Sequence, residues 1–123
     1  MTVEPRRLVP LAQVADVTVS IAFYARLGFE VSDLFASEED PGPLWATLRC
    51  DGIALMVERA DAPVQPRDRT ALFYLYFDDI VATREALREQ GLDVGPLRRR
   101  AYCPQGECRL EDPDGYVVML THT

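Results

Sequence analysis

The chain is written twice. A shift of 63 positions lays Asp16 on Asp79, Gly28 on Gly91 and Val31 on Val94, and the same shift lays Asp51-Gly52 on Asp114-Gly115 and Met56 on Met119 without a gap. Similar residues fill the intervals: Val17 with Ile80, Ser20 with Thr83, Phe29 with Leu92 and Glu30 with Asp93. A constant offset carried through a helix pattern and two turn signals marks a duplicated module. Duplication predicts a two-fold-symmetric site between the halves, so the residues that line it decide the function.

Each half reads as strand, helix, then a hairpin. In the first, Leu8 to Val14 is a short apolar run, and Asp16 is placed to cap a helix that Gly28 stops. Phe29 to Leu34 reads as a second strand and positions 37–43 (SEEDPGP) as a loop. Leu44 to Cys50 and Ile53 to Arg59 flank Asp51-Gly52, a two-residue hairpin signal. Module 1 thus covers about 8–59, and the proline-containing stretch 60–70 is the joint. Module 2, about 71–122, repeats the plan. Ala71 to Phe77 is a strand, Asp79 caps a helix over Ile80 to Gln90, and Gly91 ends it. Leu92 to Val94 starts another strand, 95–106 is poorly patterned, and Glu107 to Glu111 and Tyr116 to Thr121 flank the turn at Asp112-Pro113-Asp114-Gly115. A four-stranded half-module cannot bury both faces of its sheet, so the halves are expected to share one domain.

Bulk properties narrow the function. At 48% hydrophobic and 27% charged, with no apolar run long enough to cross a bilayer, the sequence is that of a globular protein. Met1 to Pro10 lacks a signal-peptide hydrophobic stretch, which points to the cytoplasm and away from the membrane. Cys50, Cys103 and Cys108 form an odd set without an export signal and give no disulfide framework. A net charge of −7 disfavours nucleic acid as a partner.

Two βαβββ modules, with VADVTVSIAFYARLGFEV over 14–31 and EDPDGYVVML over 111–120, resemble the vicinal oxygen chelate superfamily, which includes glyoxalase I, extradiol dioxygenases and bleomycin-resistance proteins. The resemblance implies an α+β fold in which the sheets curl into a cup-shaped open half-barrel with the helices outside. It also implies a homodimer. In family enzymes each module supplies one metal ligand from its first strand and one from its hairpin. Family spacing puts these at Val9 and Met56, and at Leu72 and Met119. None binds a hard divalent cation, and methionine thioether suits copper(I) at best. The expectation is therefore a chain with no metal and no cofactor, akin to the bleomycin-resistance branch.

Strand alternation sorts the remaining candidates. Phe73, Leu75 and Phe77 make one apolar face, while Leu72, Tyr74 and Tyr76 make another that carries two hydroxyls. Trp45 opens the third strand and offers a flat stacking surface. Glu58 shares the parity of Met56 and could meet a cation at a pocket mouth. The expected ligand-binding set is Trp45, Met56, Glu58, Tyr74, Tyr76 and Met119, acting by capture of a small antibiotic-like molecule of aromatic or cationic character with no catalytic residue. Two alternatives stand beside it: a metal-independent isomerase or lyase using Tyr74 or Tyr76, and a scaffold module whose pocket its own side chains fill. Cys103, Cys108 and His122 are too few and too poorly spaced for zinc. Arg98-Arg99-Arg100 reads as a solvated loop, with a lid over an anion as its functional counterpart.

Overall fold

The structure, a computed structural model, describes residues 2–65 and 71–123. Positions 66–70 of the expected joint lie outside the described residues. Two compact units divide at Val64/Gln65. The first holds β1 (Leu11–Val14), α1 (Val17–Ala25), β2 (Glu30–Ala36), β3 (Pro43–Cys50) and β4 (Ile53–Arg59). The second holds β5 (Leu72–Phe77), α2 (Ile80–Glu89), β6 (Arg98–Arg100), β7 (Cys103–Glu111) and β8 (Val117–His122). Each unit is a βαβββ module with one mixed, unclosed sheet, in the order β1-β4-β3-β2 or β5-β8-β7-β6.

Local chemistry sets the elements. The Asp16 carboxylate accepts from the Thr18 and Val19 amides, and Asp79 accepts from the Ala82 amide, so both helices start where an acidic cap supplies the missing acceptor. Gly28 and Gly91 follow the helices at φ +97° and +86°, a left-handed turn that a Cβ would strain. Asp51 takes φ +50° in the two-residue turn that joins Cys50 to its partner Ile53.

One face of each sheet is closed by its helix. In unit 1, Ala12, Val14, Ala46, Leu48, Leu55 and Val57 are buried together with Val17, Phe23 and Tyr24 of α1. In unit 2, Cys108, Leu110, Val118 and Leu120 are buried together with Ile80 and Leu87 of α2. Ser20 lies fully buried in α1, and its hydroxyl has no hydrogen-bond partner among the described residues.

Three element assignments change. The strand expected at Leu92–Val94 forms instead as β6 at Arg98–Arg100, because Gly95 is tied off against β7: its amide donates to the Arg109 carbonyl at 2.9 Å and its carbonyl accepts from Arg84 Nε at 2.8 Å. β7 begins at Cys103, earlier than expected, because Gly106 at φ +107° has no Cβ and so leaves room for Leu97 to pack onto it. β1 begins at Leu11, which leaves Val9 outside the strand. His122 belongs to β8, and its Nδ1 accepts from the Ile80 amide at 3.4 Å.

The orphaned Ser20 hydroxyl makes a test of the core. Ser20→Ala should raise unfolding free energy by about 0.5–1.5 kcal/mol, since it removes an unsatisfied buried group and improves helix propensity. Urea denaturation measures this, and a loss of about 1 kcal/mol or more would mean that the hydroxyl is bonded in solution.

Candidate functional site

The face of each sheet turned away from its helix is open, and strand register writes it as rows. In unit 1, Trp45 pairs with Glu58, Phe35 with Trp45, and Gln13 with Glu58, giving a row Gln13-Glu58-Trp45-Phe35. The next row is Leu11-Met56-Thr47-Asp33. In unit 2 the matching rows are Tyr76-Thr121-Glu107-Arg98 and Tyr74-Met119-Arg109. Three of the four strands keep the 63-residue offset in these rows (Gln13 with Tyr76, Glu58 with Thr121, Phe35 with Arg98). β7 is displaced by one, so Trp45 is matched by Glu107. The cause is the hairpin: Arg49 and Ala54 enclose four residues, while Glu111 and Val117 enclose five.

The register also sets the cross-strand partners of the two methionines. Met56 pairs with Leu11, and its amide donates to the Pro10 carbonyl at 2.9 Å. Met119 pairs with Tyr74. Val9 and Leu72 are each two residues short of those partners. The paired positions are therefore Leu11 with Met56 in unit 1 and Tyr74 with Met119 in unit 2. Neither an alkyl chain with a thioether nor a phenol with a thioether fits a hard or borderline divalent cation. Among the described residues, no group of three or more His, Cys, Asp or Glu side chains converges to hold one elsewhere.

The open face of unit 1 carries a hollow of about 610 Å³ lined by Phe35, Leu44, Trp45, Glu58, Arg59 and Asp61. Trp45 and Glu58 meet here as cross-strand neighbours. Glu58 Oε1 accepts from Gln13 Nε2 at 3.2 Å, which orients the carboxylate along the sheet. Arg59 is neutralised by Asp40 at 2.7 Å, so Glu58 and Asp61 set the sign of the hollow. Phe35 is 58% exposed beside the indole. Met56 is on the same face but one row away and does not line the hollow.

Tyr74 and Tyr76 lie on the open face of unit 2 with ring centroids 6.4 Å apart. The Tyr74 hydroxyl donates to Glu107 Oε1 at 3.4 Å, and the Tyr102 hydroxyl donates to Glu107 Oε2 at 3.1 Å. Glu107 is buried, with its acceptor sites directed at these phenols. Partial desolvation, reinforced by the charge and hydrogen bonding of Glu107, raises both phenol pKa values above the ordinary 10.0. Burial likewise raises the Cys108 thiol, an inert packing residue. Met119 lines a separate groove of about 770 Å³ with residues of β6 and β7.

The six expected residues thus fall into two places: Trp45 and Glu58 with Met56 one row away in unit 1, and Tyr74 and Tyr76 with Met119 beside Tyr74 in unit 2. Phe35, Gln13, Asp61, Tyr102 and Glu107 were not anticipated. Phe35 was lost by ending its strand at Leu34. Gln13 was detectable as the one polar residue in an apolar strand.

Paired βαβββ modules, each with a helix-covered face and an open one, define a class of small α+β proteins. The chain belongs to the Glyoxalase/Bleomycin resistance protein/Dioxygenase superfamily, whose model matches residues 7–120. Its fold is similar to that of the bleomycin resistance determinant encoded on transposon Tn5, at TM-score 0.75 and 19% identity, over 97% of this chain and 98% of that one. It is also similar to TnmS3, an antibiotic binding protein from Streptomyces sp. CB03234, at TM-score 0.77 and 20% identity, over 99% and 98% of the chains. A third likeness is to the bleomycin-binding protein of bleomycin-producing Streptomyces verticillus in complex with copper(II)-bleomycin, at TM-score 0.72 and 20% identity over 99% of both chains. No curated protein matches the sequence at a significant level. Among the described residues no helix is long and apolar enough to cross a membrane.

The phenol–carboxylate cluster has a pH signature. Because the folded pKa values of Tyr74 and Tyr102 exceed the unfolded 10.0, their contribution to stability is complete below pH 10.0 and is lost as pH rises through the folded values. Glu107→Gln should move two of the five tyrosines to lower pH in an ultraviolet titration. An unchanged profile would show that Glu107 does not set their acidity.

Proposed function

We propose that this chain is a small-molecule binding protein that captures a planar, cationic, antibiotic-like ligand without metal and without chemistry. The observation that carries this reading is the hollow where Trp45 and Phe35 flank Glu58 and Asp61. An indole and a phenyl ring supply stacking area at little entropic cost, and a cation adds its attraction to the ring faces. The two carboxylates select positive charge, and Gln13 holds one of them in place. Relatives in fold that bind bleomycin or other antibiotics support the class of ligand, and the pairs Leu11 with Met56 and Tyr74 with Met119, each within its own unit, support binding without a divalent ion.

The reading extends to Tyr74, Tyr76 and Met119 as a second apolar contact surface and to action by sequestration in the cytoplasm as a homodimer. Tyr76, 65% exposed on an open sheet face, supports contact with either a ligand or a second copy. The enzyme alternative loses support at Tyr74. A phenol whose pKa is raised and whose proton is directed at Glu107 is a poor general base at neutral pH.

Calorimetry with bleomycin and with other planar cationic antibiotics tests the proposal. Trp45→Ala should weaken binding by about 1–3 kcal/mol, the loss of one buried aromatic face. Glu58→Gln should weaken a cationic ligand by roughly 1 kcal/mol and leave a neutral analogue unaffected. Equal affinities in wild type and Trp45→Ala would remove the stacking role, and equal losses for charged and neutral ligands would remove charge selection.

A further inference from the structure

The two modules share a framework, but their open faces carry opposite chemistry. The position of Phe35 in unit 1 is Arg98 in unit 2, and the position of Thr47 is Arg109. Arg98 pairs with Glu107, and Arg100 pairs with Cys103 across an irregularity that preserves parity, so both guanidiniums stand on the open side of β6 while Arg99 alternates away. The groove of about 770 Å³ in unit 2 is lined by Arg98, Arg100 and Arg109 and omits Arg99.

The acids on that groove are mostly engaged. Glu107 accepts from Tyr74 and Tyr102. Asp112 accepts from the Asp114 and Tyr116 amides in its turn, and Glu111 pairs with Arg109 at 2.8 Å. Asp93 remains as a lining carboxylate. Among the described residues neither Arg98 nor Arg100 forms an ion pair. The lining carries three arginines against four carboxylates; what sets the groove apart is that Arg98 and Arg100, beside the apolar Met119, pair with no carboxylate among the described residues.

We propose that this groove is a second binding site, distinct in ligand from the Trp45 hollow, which takes a small molecule carrying a phosphate, sulfate or carboxylate on an apolar or aromatic body. Arg98 and Arg100 grip the anion through their planar forks. Met119 meets the apolar body. The reading does not depend on ligand capture at Trp45, because every residue it uses belongs to unit 2.

Titration calorimetry of the full chain with phenyl phosphate, benzoate and inorganic phosphate tests it. Phenyl phosphate should bind saturably and inorganic phosphate should compete, with benzoate showing whether a carboxylate serves as well as a phosphate. The double variant Arg98→Ala/Arg100→Ala should weaken phenyl phosphate tenfold or more, whereas Arg99→Ala, with one charge removed from the other side of the same strand, should stay within twofold. Arg98→Gln, a milder change at the exposed edge, should give an intermediate loss. Trp45→Ala should leave this binding unchanged, which separates the result from any failure of the cationic site. Absence of saturable binding of either aryl anion, or an Arg99→Ala loss equal to that of the double variant, would overturn the proposal.

Discussion

Parallel pairing of the first and last strands of each module fixes everything else in it. Because β1 lies beside β4 and β5 beside β8, the chain must leave the first strand, cross in a helix and return through two further strands. The helix can then cover only one face. Register completes the constraint: Leu11 opposite Met56 places Gln13, Glu58, Trp45 and Phe35 in one open row. A slip of one residue would send Glu58 into the core and Val57 to the surface, so burial of the apolar parity and presentation of the functional parity are one choice.

Duplication copied that choice, and substitution then gave the copies different chemistry. Backbone devices persist at the 63-residue offset: acidic helix caps, left-handed glycine stops and the methionine opposite the first strand. The open rows diverge, with an aromatic and acidic hollow in unit 1 and a phenol, carboxylate and arginine surface in unit 2. One extra residue in the hairpin after β7 contributed by moving that strand's register relative to its copy, which replaced the aromatic of β3 by the carboxylate of Glu107. The core tolerates no such freedom, since its residues must fit one another at crystal-like density.

Much of this was legible from residue pattern alone. Asp16 and Asp79 as caps, the Asp51-Gly52 hairpin and the helix-facing parity of Phe73, Leu75 and Phe77 all follow from local rules of hydrogen bonding and alternation. The pairing of Trp45 with Glu58 was implicit in the two-residue Asp51-Gly52 turn, which sets Cys50 opposite Ile53 and so Trp45 opposite Glu58; the addition of Gln13 and Phe35 to that row was not visible, because it depends on the pairing of β1 and β2. β6 escaped for a related reason. Three consecutive arginines have no hydrophobic alternation, and their strand exists only because Gly95 and Gly106 let the preceding segment lie against β7. Likewise Val9 was placed by family spacing, whereas β1 begins two residues later, at Leu11. Leu72 does open β5, but it pairs with Val117, and the partner of Met119 is Tyr74. Neither Leu11 nor Tyr74 is a hard-metal ligand of the histidine or carboxylate kind.

The central claim is that the open face of unit 1 binds a planar cation at Trp45, and the chain offers a direct probe because Trp45 is its one tryptophan. Intrinsic fluorescence should be titrated with bleomycin and other planar cationic antibiotics, with and without a chelator. Saturable quenching that the chelator does not alter is the result this account predicts. A flat response across the panel, after correction for ligand absorbance, would contradict it.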